Sequence, residues 1–174
     1  MGTGTKGKET LRRVVSNAGP LIHLQEADAL GLLRLMGEIF IPQQVEREVA
    51  NYLPSEHTPD WIVVVTLDEA RAAESLAWQR ASFLDTGEAD ALALARQLNS
   101  AWFLTDDERA RLLGKQLSLE VHGSLGVVLW AAAVGLIERR QAEEALARLA
   151  KSSLWVSTQV LNEAKNALNE LYLG

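Results

Sequence analysis

The chain of 174 residues contains no cysteine. That absence excludes disulfide scaffolds, thiolate zinc sites and cysteine nucleophiles. Long apolar runs are also missing. The longest uncharged one, Leu125 to Ile137, is too short to cross a bilayer and reads as a buried helix. The opening "MGTGTKGKET" lacks the apolar core of a signal peptide, so an intracellular, cytoplasmic protein with no membrane association is expected. Positive charge is in deficit, with 17 Lys and Arg against 23 Asp and Glu, a formal net charge of −6. This argues against a protein coated in phosphate-binding surface but leaves room for a local basic patch.

Nearly half of the residues are apolar and about a quarter charged, ordinary proportions for a folded soluble domain. The length suits one domain with a substantial core. Residues 1–12 are rich in Gly and Thr and carry Lys6, Lys8 and Arg12, which predicts a flexible N-terminal tail. Residues 13–174 are expected to form a single domain that ends in helices.

From residue 13 onward, strand and helix patterns alternate. Val14-Val15-Ser16 reads as a strand, followed by a helical stretch from about Pro20 to Met36. "EIFIP" is a second strand, and Pro42 opens a helix running to about Leu53. "SEHTPD" reads as a loop, and Trp61 to Val65 as a marginal strand or a connection. Helices are expected over 68–80 and 87–98. "AWFLT", residues 101–105, is the clearest buried strand and stops abruptly at Asp106-Asp107. A helix, the short strand "LEVHG" and a helical remainder complete the chain. This alternation predicts an α/β fold, a three-layer α/β/α sandwich around a mostly parallel sheet.

In such sheets, sites form beyond the carboxyl ends of the strands. Asn17 follows the first strand, and Asp106 and Asp107 follow "AWFLT". Neighbouring placement of these two strands would bring the three side chains to one edge. Glu88 lies in the first turn of the helix preceding "AWFLT", and Glu48 on the helix opened at Pro42. Acids gathered this way repel and raise one another's pKa values unless a cation lies between them. An oxygen donor set, with no Cys and only three His, suits Mg²⁺ or Mn²⁺ better than zinc. Each residue also has a plainer role. Asn17 suits a turn, and Asp106, Asp107 and Glu88 suit helix N-termini. Only joint placement favours a metal site.

The segments "VVSNAGPLIHL", "IPQQVEREV", "LDTGEADALALA", "FLTDDERARLLGKQL" and "VHGSLGVVLWAAAVGLI" occur in an order that resembles a PIN domain. More narrowly, they look like the branch related to the VapC-type toxins of toxin–antitoxin pairs. The resemblance covers about residues 13 to 137. It implies a metal-dependent ribonuclease whose acidic site falls on Asn17, Glu48, Glu88, Asp106 and Asp107, with Asp90 a nearby substitute for Glu88. The last four would be catalytic, and all five would ligate Mg²⁺ or Mn²⁺. Asn17 departs from the usual Asp: its amide oxygen still coordinates but carries no charge. Ser124 and Arg111 match substrate-side positions, and Arg109, Arg111 and Lys115 lie on a helix able to meet flanking phosphates. RNA, a cognate antitoxin and a second copy in a homodimer are the implied partners.

The rival reading is a catalytically silent scaffold that binds RNA or a protein, with Asn17 as its sign. A phosphohydrolase with an aspartyl nucleophile is a poorer alternative, because Asn17 stands where the nucleophile would be. His23 reads as a packing residue, His122 as the end of a strand beside Gly123 with an approach to the site as the lesser reading, and His57 as exposed. The five Trp are dispersed rather than gathered into a base-stacking platform, and Trp102 is expected in the core. Leu161, Ala164, Leu168 and Leu171 form a helical stripe suited to packing on its own domain.

Overall fold

The computed structural model describes residues 11–53 and 57–173. The predicted tail thus lies almost wholly outside the described residues, as do Ser55 and Glu56 of the predicted loop.

Apolar, β-branched segments form five strands: β1 (Arg13–Ser16), β2 (Glu38–Pro42), β3 (Ile62–Val65), β4 (Trp102–Leu104) and β5 (Glu120–His122). They make one sheet in the order β3-β2-β1-β4-β5, and every pairing is parallel. Val14, Val15, Phe103 and Leu104 have no exposed surface, as strands covered on both faces require. The marginal run near Trp61 is an edge strand, β3.

The helices between strands are α1 (Ala18–Glu26), α2 (Gly31–Met36), α3 (Gln43–Val49), α4 (Glu69–Arg80), α5 (Thr86–Gln97) and α6 (Glu108–Gln116). After β5 come α7 (Ser124–Ala133), α8 (Arg139–Lys151) and α9 (Thr158–Glu170). The single helix expected over 20–36 is two. Asp28 takes φ +55°, a left-handed conformation that ends the first helix and lets the chain turn into the second. The helix opened at Pro42 stops at Val49, four residues early, where Tyr52 N–H turns back to the carbonyl of Val49.

α5 lies against β1, β2 and β4 and also contacts α3, α4 and α6. Its Ala/Leu repeat explains why: Ala89, Ala91, Leu92, Ala93, Leu94 and Ala95 are all fully buried. Small side chains let the helix settle close to the sheet, and trimming Leu92 to Ala would cost about 2–5 kcal/mol. α1, α2, α7, α8 and α9 pack among themselves in the other layer. In the C-terminal stripe, Ala164 and Leu168 are buried, Leu161 is half-buried and Leu171 is exposed. The stripe is therefore spent mostly on α7 and α8. No described helix is long and apolar enough to cross a membrane.

Strand order positions the site. The chain runs outward from β1 through β2 to β3, then returns to the other side of β1 as β4. The turns leaving β1 and β4 diverge at that reversal, which opens a crevice at the carboxyl edge.

Candidate functional site

Asn17 stands at the end of β1 and caps α1. Its Oδ1 accepts the Ala18 N–H at 2.8 Å, and its Nδ2 donates to Thr105 Oγ1 at 3.4 Å. Its own N–H donates to the Leu104 carbonyl at 2.9 Å, which ties the ends of β1 and β4 together. Thr105 Oγ1 in turn accepts the Asp107 N–H at 3.1 Å. One buried hydroxyl thus links the first and last members of the polar set.

Asp106 and Asp107 turn in different directions. Asp107 caps α6, where its Oδ1 accepts the Ala110 N–H at 2.8 Å. Asp106 is held by three donors: the Ser124 N–H at 2.7 Å, the Ser124 hydroxyl at 2.5 Å and His23 Nδ1 at 2.7 Å. Gly123 makes this approach possible. A methyl there would lie 2.8 Å from both Asp106 Oδ1 and an Arg111 guanidinium nitrogen. The "HGSLG" segment is thereby a seat for Asp106. Ser124 itself is fully buried.

Glu88 sits in the first turn of α5, where its Oε2 accepts the Asp85 N–H at 3.1 Å. Glu48 lies on α3 and takes the Gln44 side-chain N–H at 3.1 Å. Its carboxylate rests directly on Gly87, where any β-carbon would overlap both of its oxygens. Burial pushes the Glu88 carboxyl above its ordinary pKa. The hydrogen bond from the Asp85 N–H opposes that shift, while the negative charges of Asp107, Asp85 and Glu48 add to it. Glu88 therefore lies within the field of three other acids.

These residues share a cavity of about 630 Å³, lined by Asn17, Ala18, Gly19, His23, Glu48, Asp85, Gly87, Glu88, Asp106, Asp107, Glu108, Leu154 and Trp155. Six of its residues are acids. No Lys or Arg lines it among the described residues. All five predicted ligand positions thus border one cavity: adjacent β1 and β4 bring Asn17, Asp106 and Asp107 together, and α3 and α5 add Glu48 and Glu88.

The donor set fits a hard divalent ion. It offers carboxylates and one amide, gathered around negative charge that no cavity-lining Lys or Arg offsets. Glu48, Glu88 and Asp107 each commit one oxygen to a local hydrogen bond and keep the other. Among the described residues, no three Asp, Glu or His side chains already stand close enough to form a metal shell.

The remaining predicted residues divide among neighbouring surfaces. Arg109 borders a smaller cavity of about 330 Å³ beside Asp85, Glu88 and Asp107. Arg111 lines a groove of about 380 Å³ on the other side of Asp106. Lys115 is exposed on α6. Asp90 faces elsewhere and accepts the Ser75 hydroxyl at 2.5 Å. His122 lines the Arg111 groove, with its ring on Trp102 and its Nε2 2.9 Å from Glu120. Trp102 is buried, as expected, and His57 is exposed.

Sequence reasoning missed His23, Thr105 and Trp155. His23 had a signal, as a polar residue on the helix that starts at Asn17. Thr105 stood beside the acids but carries no charge. Trp155 had none, because the chain alone does not place a residue between α8 and α9 beside the acidic cavity.

No curated protein matches the chain. A family model described as PIN domain matches residues 13–170, which spans every strand and helix described above. The chain belongs to the PIN-domain family, whose members are typically nucleases and generally use divalent metals.

Proposed function

We propose that the chain is a divalent-metal-dependent endoribonuclease of the VapC-like branch, the toxin of a toxin–antitoxin pair. In this reading it works in the cytoplasm as a homodimer and is restrained by a cognate antitoxin. The observation that carries the catalytic part is the cavity at the β1/β4 reversal, lined by six acids and no described Lys or Arg.

Glu48, Glu88 and Asp107 would hold Mg²⁺ or Mn²⁺, with Asn17 as a neutral oxygen donor. When bound, such an ion lowers the pKa of water and offsets the charge that builds on a phosphate during hydrolysis. The protein's own groups supply the rest. Glu88 keeps one oxygen on the Asp85 N–H and would give the other to the ion, while a cavity carboxylate left free of the ion would orient a water and accept its proton. Asp106, fixed by Ser124 and His23, holds the start of α6 in place, so Ser124 acts through Asp106. Arg109 and Arg111, on either side of the acids, would contact the flanking phosphates.

A specific observation favours the silent scaffold as second reading. Asn17 is uncharged and is committed to both Ala18 and Thr105. The test is cleavage of a labelled RNA mixture with Mn²⁺, with Mg²⁺ and with EDTA, beside a Glu88→Gln, Asp107→Asn double variant. Metal-dependent cleavage lost in the variant is the expected result. An inactive wild type that becomes active on Asn17→Asp would identify a scaffold that lost its metal. Cleavage that survives EDTA would overturn the metal mechanism.

A further inference from the structure

Trp155 is 89 % exposed, the most exposed large apolar side chain among the described residues. It lies in the short connection between α8 and α9, next to Leu154, which is half-buried and packs on the core. The connection is fixed at several points. Glu26 accepts the Ser153 N–H at 2.6 Å and the Ser153 hydroxyl at 2.8 Å. Ser152 donates its hydroxyl to the Leu149 carbonyl at 2.6 Å and accepts the Leu154 N–H at 3.1 Å. A bulky apolar ring is thus held in water on a short, braced segment. Exposing an indole forgoes a large burial gain, so its placement asks for a partner.

Position narrows that partner. Leu154 and Trp155 line both the acidic cavity and the groove containing Arg111 and His122. The ring therefore stands on the divide between two surfaces that meet at Asp106. With a cation held by the acids, as the nuclease reading requires, a chain crossing this divide would meet a phosphate-binding ion, then an aromatic face, then a guanidinium. That sequence matches a single-stranded nucleic acid, whose phosphate, base and next phosphate alternate.

We infer that Trp155 stacks on an unpaired nucleobase beside the phosphate held in the acidic cavity, while Arg111 takes the phosphate on the far side. This rests on the nuclease reading of the cavity. An aromatic face accepts any base, so Trp155 supplies affinity and a demand for unpaired strand rather than sequence choice. Duplex RNA keeps its bases stacked on one another and offers none to the ring.

The test measures binding and cleavage separately, on the whole chain. Labelled single-stranded RNA, the same sequence as DNA and the RNA duplex are titrated in Ca²⁺, which supplies the cavity with a divalent ion, against wild type, Trp155→Ala and Trp155→Phe. Trp155→Ala is expected to weaken binding of both single strands by between about 5-fold and 150-fold, with Trp155→Phe recovering much of it and duplex binding unchanged. Thermal melting should coincide for all three proteins, because the ring is exposed. In Mn²⁺, Trp155→Ala should raise KM far more than it lowers kcat. Cleavage by the wild type with unaltered KM in Trp155→Ala overturns the stacking and leaves the nuclease standing. Binding that follows Trp155 in a wild type unable to cleave in any metal overturns the nuclease and keeps the stacking. Unchanged RNA affinity in Trp155→Ala, with loss of a dimer in sedimentation, assigns the ring to a second copy and overturns the inference.

Discussion

Asp106 and Asp107 are adjacent in the chain and opposite in circumstance. Asp106 is enclosed: both oxygens are taken by Ser124 and His23, and Gly123 gives way so that they can be. Asp107 commits one oxygen to the α6 cap and keeps the other, within the field of Glu88. The first carboxylate is a structural joint between β4, α1 and α7. The second belongs to an acidic cluster whose cavity has no described Lys or Arg on its lining. Identical side chains in sequence neighbours thus differ: one builds the crevice, and the other lines it with an oxygen turned to the acidic cluster.

That division is sharpest in substitutions at the two positions. Asp107→Asn keeps a good cap, since Asn and Asp serve α6 about equally, but removes one charge from the cavity. RNA cleavage in Mn²⁺ should fall by about 10²–10³-fold, with little change in Tm. Asp106→Ala should do the reverse in kind. It strips partners from a His and from the N–H and hydroxyl of a fully buried Ser, at a side chain only 11 % exposed. A loss of about 2–4 kcal/mol in denaturant unfolding is expected. If instead Asp106→Ala unfolds like wild type while cleavage disappears, Asp106 belongs to the chemistry and the contrast is broken.

Gly87→Ala probes the open half without replacing any acid. The added methyl would overlap the Glu48 carboxylate, the mobile end of a flexible side chain, so the side chain swings away at little cost. Alanine also suits the helix better than glycine. Cleavage should drop by about 10-fold, while Tm stays level or rises. Unaltered cleavage would remove Glu48 from the working set.

The contrast also marks how far the sequence was legible. Four strands and a mostly parallel sheet follow from apolar runs alternating with helical periods, whereas Trp61 to Val65 reads equally as a connection and the adjacency of β1 and β4 comes from the structure. The acids were visible because carboxylates at strand ends are chemically conspicuous. What distinguishes Asp106 from Asp107 was not visible. It depends on His23 and Ser124 arriving from α1 and α7, contacts separated by 83 and 18 positions. The break at Asp28 was hidden as well, because an apolar period continues through it and only a backbone angle interrupts the helix. Trp155 reaches the cavity through the clamp of Ser153 on Glu26, 127 positions away, and no local pattern encodes such a distance.

The smallest expected effect tests the charge balance of the open half directly. Glu88 has a folded pKa above its unfolded one, mainly through burial and secondarily through its acidic neighbours. The folded state therefore holds this proton more tightly. The contribution of Glu88 makes stability decline as pH rises from the ordinary glutamate range through the raised folded value, and then level off. Glu88→Gln keeps an acceptor for the Asp85 N–H and removes that decline. In EDTA near neutral pH the variant should melt slightly above wild type, and in acid the two should converge. Adding Mn²⁺ should reverse the order at neutral pH, because an ion bound only by the folded state stabilises it and Glu88→Gln binds that ion less well. A variant less stable than wild type in EDTA at every pH would mean that Glu88 is held there by favourable contacts. The acidic half would then be a joint like the one around Asp106.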